Sequence, residues 1–209
     1  MSHAAAISQP KAIAAGDKET NQLRPWPEQK PDMGIQFTRP SRKEDADKMS
    51  ASSDASYADL EGSRSTLGYI VKLNNGPLAW TTKVTSGVAK STCESEYEAM
   101  SACVSEVIYL QQLLGELGVR QDTTILRIDN TAAEAISKDD KHHQRTRAIR
   151  LRHHHVRDEV AKRTVRPEHE KTEELESDAL TKSLALKQFD YLRAKMLGTN
   201  AMPTATRCQ

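Results

Sequence analysis

The stretch "STLGYIVKLNNGPLAWTTKV", Ser65–Val84, decides the fold that this sequence predicts. Its first half, Ser65–Asn74, alternates apolar and polar residues and contains β-branched residues, which predicts a strand. The "NNGP" segment, Asn74–Pro77, is a turn signal, and Leu78–Val84 is the returning strand. Because "SASSDASYA", Ser50–Ala58, predicts a strand of small residues just before this pair, we expect an antiparallel meander of three strands.

A long helix is predicted after the meander, from about Thr92 to Leu117, with Gly118 as its C-terminal stop. A fourth strand is predicted over Thr124–Ile128, followed by a short helix over Thr131–Ser137. The long helix can carry the chain back across the sheet, so the fourth strand is expected to pair in parallel. This order of elements indicates an α/β fold with a mixed sheet.

The remaining elements are predicted from weaker patterns. A basic helical stretch covers roughly Arg145–Arg163, and Thr164–Glu170 is a candidate strand that Pro167 weakens. A last helix is predicted from about Ala185 to Leu197. These elements belong to one predicted domain, residues 50–198.

The two ends of the chain lack the periodicity of helices or strands. Residues 1–33 are rich in proline and polar residues and are expected to form a disordered leader, and residues 199–209 a disordered tail. Residues 34–49 are expected to be a connector, in which a short strand-like segment, Met33–Arg39, is followed by a charged stretch, Pro40–Met49.

Composition limits the class of protein. The chain has 209 residues, 37% of them hydrophobic and 28% charged, and its net charge of +1 does not by itself indicate a nucleic-acid partner. Three cysteines, Cys93, Cys103 and Cys208, form no disulfide framework and fit a reducing, intracellular setting in the cytoplasm or nucleus. Secretion and a membrane span are not expected, because the apolar runs are too short.

Four carboxylates stand in contexts where an acid is unexpected. Asp54 lies within the first strand, Glu96 lies on the otherwise apolar face of the long helix, Asp129 ends the fourth strand, and Asp178 precedes the last helix. Acids that converge in a buried place repel one another and require a cation. A set of oxygen ligands suits Mg²⁺ or Mn²⁺, and two such ions can catalyse phosphodiester hydrolysis.

Each acid taken alone also has a plain structural interpretation. Asp54 can lie in a turn at the sheet edge, and Glu96 can interact with the helix dipole. Asp129 can cap the helix that follows it, and Asp178 can be an exposed residue at a helix start. The order of the four acids on strand, helix, strand and helix favours the metal hypothesis over these alternatives.

Positive charge is concentrated in one stretch, which predicts a contact with nucleic-acid phosphates. A solvated helix face is the alternative interpretation. A zinc site at His153–His155 is disfavoured because consecutive helical residues point about 100° apart. The predicted nucleic-acid-binding residues are Arg145, Arg147, Arg150, Arg152, His154 and Arg157.

Several motifs resemble one family in order and spacing. The matching segments are "SSDASYAD", "STCESEYEAMSACVSEVIYLQQLLGELG", "RIDNTAAEAI", "HQRTRAIRLRHHHVRDEV" and "ESDALTKSL". On these segments, residues from about Gly34 to Gly198 resemble the ribonuclease H (RNase H) domain at the end of the Pol polyprotein of copia-type LTR retrotransposons.

The resemblance implies an RNase H-like, five-stranded mixed sheet flanked by helices. It implies that Asp54, Glu96, Asp129 and Asp178 are catalytic and bind two Mg²⁺ or Mn²⁺ ions, with Asp54 touching both. The implied reaction is cleavage of the RNA strand of an RNA/DNA hybrid during reverse transcription, leaving a 3′-hydroxyl and a 5′-phosphate. A reverse transcriptase domain supplied elsewhere is a second implied partner.

The sequence departs from the family most clearly before its fourth acid. Pro167 replaces an apolar residue of the expected fifth strand, and Glu176 replaces a leucine. A buried Glu176 without access to water would cost several kcal/mol, so a loosely placed Asp178 is expected. The alternative hypothesis is therefore an inactive retrotransposon remnant, at most a non-specific nucleic-acid-binding module.

Overall fold

The structure is a computed structural model that describes residues 34–38, 46–60, 62–85, 87–131 and 155–199. A five-stranded sheet lies at its centre, in the order β3-β2-β1-β4-β5. Its strands are β1 (Met49–Ser56), β2 (Thr66–Leu73), β3 (Gly76–Val84), β4 (Thr124–Ile128) and β5 (Val165–His169). Its helices are α1 (Thr92–Glu116), α2 (described over 155–161), α3 (Asp178–Thr181) and α4 (Leu186–Met196).

Strand directions confirm the predicted class, an α/β fold with a five-stranded mixed sheet. β1, β2 and β3 pair antiparallel, whereas β4 pairs in parallel with β1, and β5 with β4. The turn between β2 and β3 has only two residues, Asn74 and Asn75, and both have positive φ, at 49° and 66°. The backbone twist of such a turn matches the twist of the two strands, so the strands can pair directly from the turn. β3 therefore begins at Gly76, two residues earlier than predicted.

The long helix begins and ends close to the predicted residues. The Ser91 side chain caps α1 by accepting a hydrogen bond from the Glu94 backbone N–H at 3.2 Å. The chain leaves α1 through Gly118, whose φ of +83° lies in the left-handed region. The predicted stop at Gly118 is therefore confirmed.

Helices cover both faces of the sheet. The buried face of α1, which includes Met100, Val104 and Val107, packs with Val71 and Leu126 on one side of the sheet. On the other side, Ile70 packs with residues of α3 and α4 such as Ala179 and Leu192. Because side chains alternate along a strand, neighbours Ile70 and Val71 serve opposite layers.

β5 forms despite its proline. Pro167 is buried and pairs with Leu126 of β4. Hydrogen bonds to β4 are made by the Thr164 carbonyl before Pro167 and by the Glu170 N–H after it. Because successive residues of a strand direct their backbone groups to opposite sides, the Pro167 nitrogen faces the open edge of the sheet. In the described part of the chain, no neighbouring strand lies on that side of β5 to accept a hydrogen bond from residue 167. Proline, which lacks an N–H, is therefore tolerated in this edge strand.

The segment predicted to be strand-like before the domain is not a strand in its described part. Gly34–Thr38 is irregular, although the Gln36 N–H donates to the Leu197 carbonyl at 2.8 Å and the Thr38 N–H to that of Asn74 at 2.9 Å. The segment therefore lies beside the β2–β3 turn without extending the sheet. The leader 1–33 and the tail beyond Thr199 lie outside the described residues, as does the predicted helix after Thr131.

Candidate metal centre

The register of the parallel strands places two of the predicted acids level with each other. Ser52 of β1 pairs with Arg127 of β4. Asp54 and Asp129 each follow two residues later, so Asp54 lies near the end of β1 and Asp129 directly after β4. Carboxyl ends of adjacent parallel strands are a common position for functional sites in α/β sheets.

A third acid, Asp178, lies on a helix that packs against this end of the sheet. Asp178 is the first residue of α3 and is 2% exposed. Carboxylate oxygens of Asp54, Asp129 and Asp178 all lie within 4.8 Å of one another. We call these three residues the aspartate cluster.

Gly68 allows α3 to approach Asp54. It is the β2 partner of Asp54 in the antiparallel register. A β-carbon built on Gly68 would lie 2.8 Å from the Leu180 β-carbon and 2.9 Å from the Thr181 γ-carbon. Only glycine leaves room for α3 at this distance, and α3 in turn carries Asp178 to the cluster.

Glu96, the fourth predicted acid, lies at the margin of the aspartate cluster. It is 8% exposed, and its carboxylate accepts a hydrogen bond from the Ala55 N–H at 3.1 Å. The first turn of α1 is capped by Ser91 instead, with Glu94 in that turn. Glu96 therefore points from the second turn of the helix towards the end of β1, as its position on the apolar face predicts.

Burial and mutual repulsion disfavour the ionised form of two of these acids. Burial raises the pKa of Asp178 to about 7, the charge of Asp54 adds to the rise, and Lys182 opposes it. Burial also raises the pKa of Glu96 to about 9, with further contributions from Asp54 and Asp129. Several carboxylates therefore lie together with too little positive charge nearby to balance them. Such an excess of negative charge is typical of a cation-binding site.

Threonine hydroxyls hold two of the aspartates. Thr181 is buried and donates a hydrogen bond to Oδ2 of Asp54. Thr172 donates to Oδ2 of Asp129 at 3.0 Å. Both threonines come from the segment after β5, so this segment fixes the orientation of acids on β1 and after β4.

Lys182 lies at the centre of the aspartate cluster. Its Nζ is 2.8 Å from Oδ1 of Asp178, 3.0 Å from Oδ1 of Asp54 and 3.8 Å from Oδ2 of Asp129. Desolvation lowers the pKa of Lys182, but the charges of Asp54 and Asp178 outweigh that effect and raise it above its ordinary value. Sequence reasoning missed Lys182, although its spacing of four residues from Asp178 on a helical turn was a usable signal.

The unusual Glu176 has a partner that sequence reasoning also missed. Its carboxylate lies 2.8 Å from Nζ of Lys72, and the side chains of lysine and glutamate are 9% and 12% exposed. Lys72 also donates to the Lys195 carbonyl at 2.7 Å, at the end of α4. The expected loose placement of Asp178 was therefore wrong, because the charge of Glu176 is paired and Asp178 is buried.

Most of the predicted nucleic-acid-binding residues lie outside the described part of the chain. These are Arg145, Arg147, Arg150, Arg152 and His154. Arg157 lies on α2 and is half-buried. Its charge acts on the buried phenol of Tyr97, where it opposes the increase in pKa that burial causes.

Transposon Pol polyproteins are among the known proteins that this chain resembles in sequence. The chain is 33% identical over 156 residues to the retrovirus-related Pol polyprotein from transposon RE1 of Arabidopsis thaliana, a match that covers 74% of this chain. It is 32% identical over 141 residues, 67% of this chain, to the corresponding polyprotein from transposon TNT 1-94 of Nicotiana tabacum. The chain is homologous to Pol polyproteins of copia-type transposons.

This homology concerns one segment of Pol, because the chain spans 11% of the length of each of these two relatives. No protein-family model matches the sequence.

Among solved structures, LC11-RNase H1 in complex with an RNA/DNA hybrid is similar with a TM-score of 0.48 and 12% identity, over 64% of this chain and 93% of that one. No helix in the described parts of this Pol homologue has the length and apolar character needed to cross a membrane.

Proposed function

We propose that this chain is a metal-dependent ribonuclease domain that cleaves the RNA strand of an RNA/DNA hybrid during retrotransposon reverse transcription. One observation carries the proposal: carboxylate oxygens of Asp54, Asp129 and Asp178 converge within 4.8 Å in a homologue of Pol polyproteins. The three acids come from β1, the end of β4 and the start of α3. An acid that only capped a helix or lay on the surface would not need the other two beside it.

The donor set fits Mg²⁺ or Mn²⁺. Its ligand atoms are carboxylate oxygens, which hard divalent ions prefer, and nitrogen or sulfur ligands suited to zinc are absent from the described cluster. The aspartate cluster would hold the ions, with Glu96 at its margin, and we propose two ions. When bound, such ions supply an activated water and stabilise the leaving oxygen of phosphodiester hydrolysis.

The chain's own groups orient the cluster. Thr181 fixes Asp54 and Thr172 fixes Asp129, each through one carboxylate oxygen. The other oxygen of Asp54 accepts a hydrogen bond from Lys182 at 3.0 Å. The Ala55 N–H holds Glu96 against the end of β1. Fixed acids of this kind reduce the reorganisation that ion binding requires.

Substrate binding is assigned to the basic residues predicted from the sequence, which are Arg145, Arg147, Arg150, Arg152, His154 and Arg157. They would neutralise phosphates without reading sequence, while the RNA 2′-hydroxyl distinguishes the strand to be cut. A reverse transcriptase domain from the rest of Pol is the proposed protein partner. Free Cys93 and Cys103 fit the proposed intracellular location.

The proposed domain comprises residues 50–198. Tight burial of Asp178 and the Lys72–Glu176 pair support an intact site rather than an inactive remnant. In the remnant alternative, the chain binds nucleic acid in EDTA and does not cut it.

A substrate panel tests the proposal. Purified full-length chain is incubated with an end-labelled RNA/DNA hybrid, the same RNA single-stranded, and the matching DNA duplex, each with Mg²⁺ or with EDTA. We expect cleavage of the hybrid RNA alone, only with the ion, and products with a 5′-phosphate. Cleavage in EDTA, or equal cleavage of all three substrates, would contradict the proposed specificity and mechanism.

A further inference from the structure

Lys182 occupies the position from which the aspartate cluster would bind a cation. Its ammonium contacts Oδ1 of Asp178 at 2.8 Å and Oδ1 of Asp54 at 3.0 Å, and it lies 3.8 Å from Asp129. These distances are those of charge-assisted hydrogen bonds to two of the acids. The three carboxylates of the cluster therefore already have one counter-cation, supplied by the chain itself.

The same carboxylates cannot serve both cations equally well. A divalent ion held by Asp54 and Asp178 needs their oxygens at coordination distance, and the ammonium now binds one oxygen of each. Two positive charges a few ångströms apart also repel each other strongly in a partly buried site. Binding of the ion therefore requires Lys182 to move away.

The structure gives Lys182 a route to solvent. The residue follows directly after α3, with extended backbone at φ −120° and ψ 150°. Its side chain is 31% exposed, whereas those of Asp54 and Asp178 are 0% and 3% exposed. The lysine can therefore rotate towards water while the acids remain in place.

We propose that Lys182 is a resident counter-cation of the aspartate cluster and that a divalent ion binds there by displacing its ammonium. Lys182 thereby stabilises the ion-free protein and sets the ion affinity. This inference rests on the proposed metal site and adds to it a residue of this chain that regulates loading.

Calorimetric titration with Mg²⁺ and with Mn²⁺, without nucleic acid, tests the inference on the full-length chain. We expect Lys182→Met to bind the ion about tenfold more tightly than wild type, or more, because the competing charge is gone. Lys182→Arg retains the charge and is expected to stay within about threefold of wild type. Equal affinity of wild type and Lys182→Met, or equal tightening by both substitutions, would overturn the proposal.

Lys162→Met is the matched control. Lys162 also pairs with a carboxylate, Glu159 at 2.7 Å, but its side chain is 65% exposed and it contacts no member of the cluster. Its substitution removes the same charge and is expected to leave the ion affinity unchanged. Tightening by Lys162→Met equal to that by Lys182→Met would show an effect of net charge and would also overturn the proposal.

Thermal unfolding provides the second readout. In EDTA, Lys182→Met is expected to unfold at a lower temperature than wild type, because three acids lose their counter-charge, and saturating Mg²⁺ should raise its Tm more than that of wild type. No ion-induced shift in wild type or any variant would reject the metal site and with it the proposed function. An equal shift in wild type and Lys182→Met would reject only the role of Lys182.

Discussion

At the scale of single residues, Gly68 determines whether the aspartate cluster can assemble. Gly68→Ala places a β-carbon 2.8 Å from Leu180 and 2.9 Å from Thr181, so α3 must move away from β2. We expect a loss of about 1–3 kcal/mol in the free energy of unfolding, measured by urea denaturation, and weaker Mg²⁺ binding by calorimetry.

Gly87→Ala is the control for this substitution. A β-carbon at Gly87 has no neighbour within 4 Å among the described residues, and Gly87 does not adopt positive φ. It should therefore leave both measurements nearly unchanged. If Gly68→Ala were as mild as Gly87→Ala, α3 would not lie against Gly68 as described.

Thr181 is expected to orient Asp54 rather than to touch the substrate. Thr181→Val keeps the shape of the side chain and removes the hydroxyl that donates to Asp54. Substitution of such supporting groups commonly weakens metal binding about 10–100-fold, and we expect a loss in this range by calorimetry. Thr181→Ser keeps the hydroxyl and should retain most of the affinity; a serine variant as weak as the valine variant would assign the loss to packing.

At the scale of elements, Lys72 joins β2 to the segment before α3 and to the end of α4. Lys72→Met leaves Glu176 buried without its partner and removes one of the donors to the Lys195 carbonyl. Breaking a buried ion pair costs about 3–5 kcal/mol, which should appear as a large fall in the free energy of unfolding. The double variant Lys72→Met/Glu176→Leu should recover most of this loss, because it replaces both charges with apolar groups.

The exposed pair Arg166–Glu168 supplies the comparison. Its atoms lie 2.7 Å apart, as close as those of Lys72 and Glu176, but its side chains are 62% and 43% exposed. Arg166→Met should therefore cost less than about 1 kcal/mol. Equal losses from Lys72→Met and Arg166→Met would mean that Lys72 is not buried with its partner.

The elements that the sequence predicted well are those whose signals are local. Three such signals each depend on a few neighbouring residues: the alternation in Thr66–Leu73, the paired asparagines of the turn, and the stop at Gly118. β5 was harder to predict because the effect of Pro167 depends on whether its nitrogen faces a neighbour or an open edge. That property belongs to the order of the strands and cannot be read within the segment.

At the scale of the whole molecule, long-range pairing decided what the sequence could not show. The partner of Glu176 is 104 residues away, and Lys182 is 128 residues from Asp54. The four acids could be selected from their local contexts together with their order along the chain. Their counter-charges were harder to select, because a surface lysine and a buried one look alike in sequence, and only the spacing of Lys182 from Asp178 carried a signal.

The fold also explains how small, distant segments form one site. β1 and β4 bring Asp54 and Asp129 level, α1 adds Glu96 beside Ala55, and the segment after β5 closes the cluster with Asp178. Sheet order thus converts a sequence separation of more than a hundred residues into contact. We propose that this convergence is a catalytic metal centre.

Cleavage of a labelled RNA/DNA hybrid across a Mg²⁺ titration, with wild type and Asp54→Asn side by side, tests that claim most directly. Asp54→Asn keeps the size of the side chain and removes the carboxylate charge at the centre of the cluster. We expect ion-dependent cutting of the RNA by wild type and a loss of about a thousandfold or more in the variant, within the range that metal and electrostatic catalysis supply. No cutting by folded wild type at any Mg²⁺ concentration, or equal cutting by both proteins, would contradict the claim.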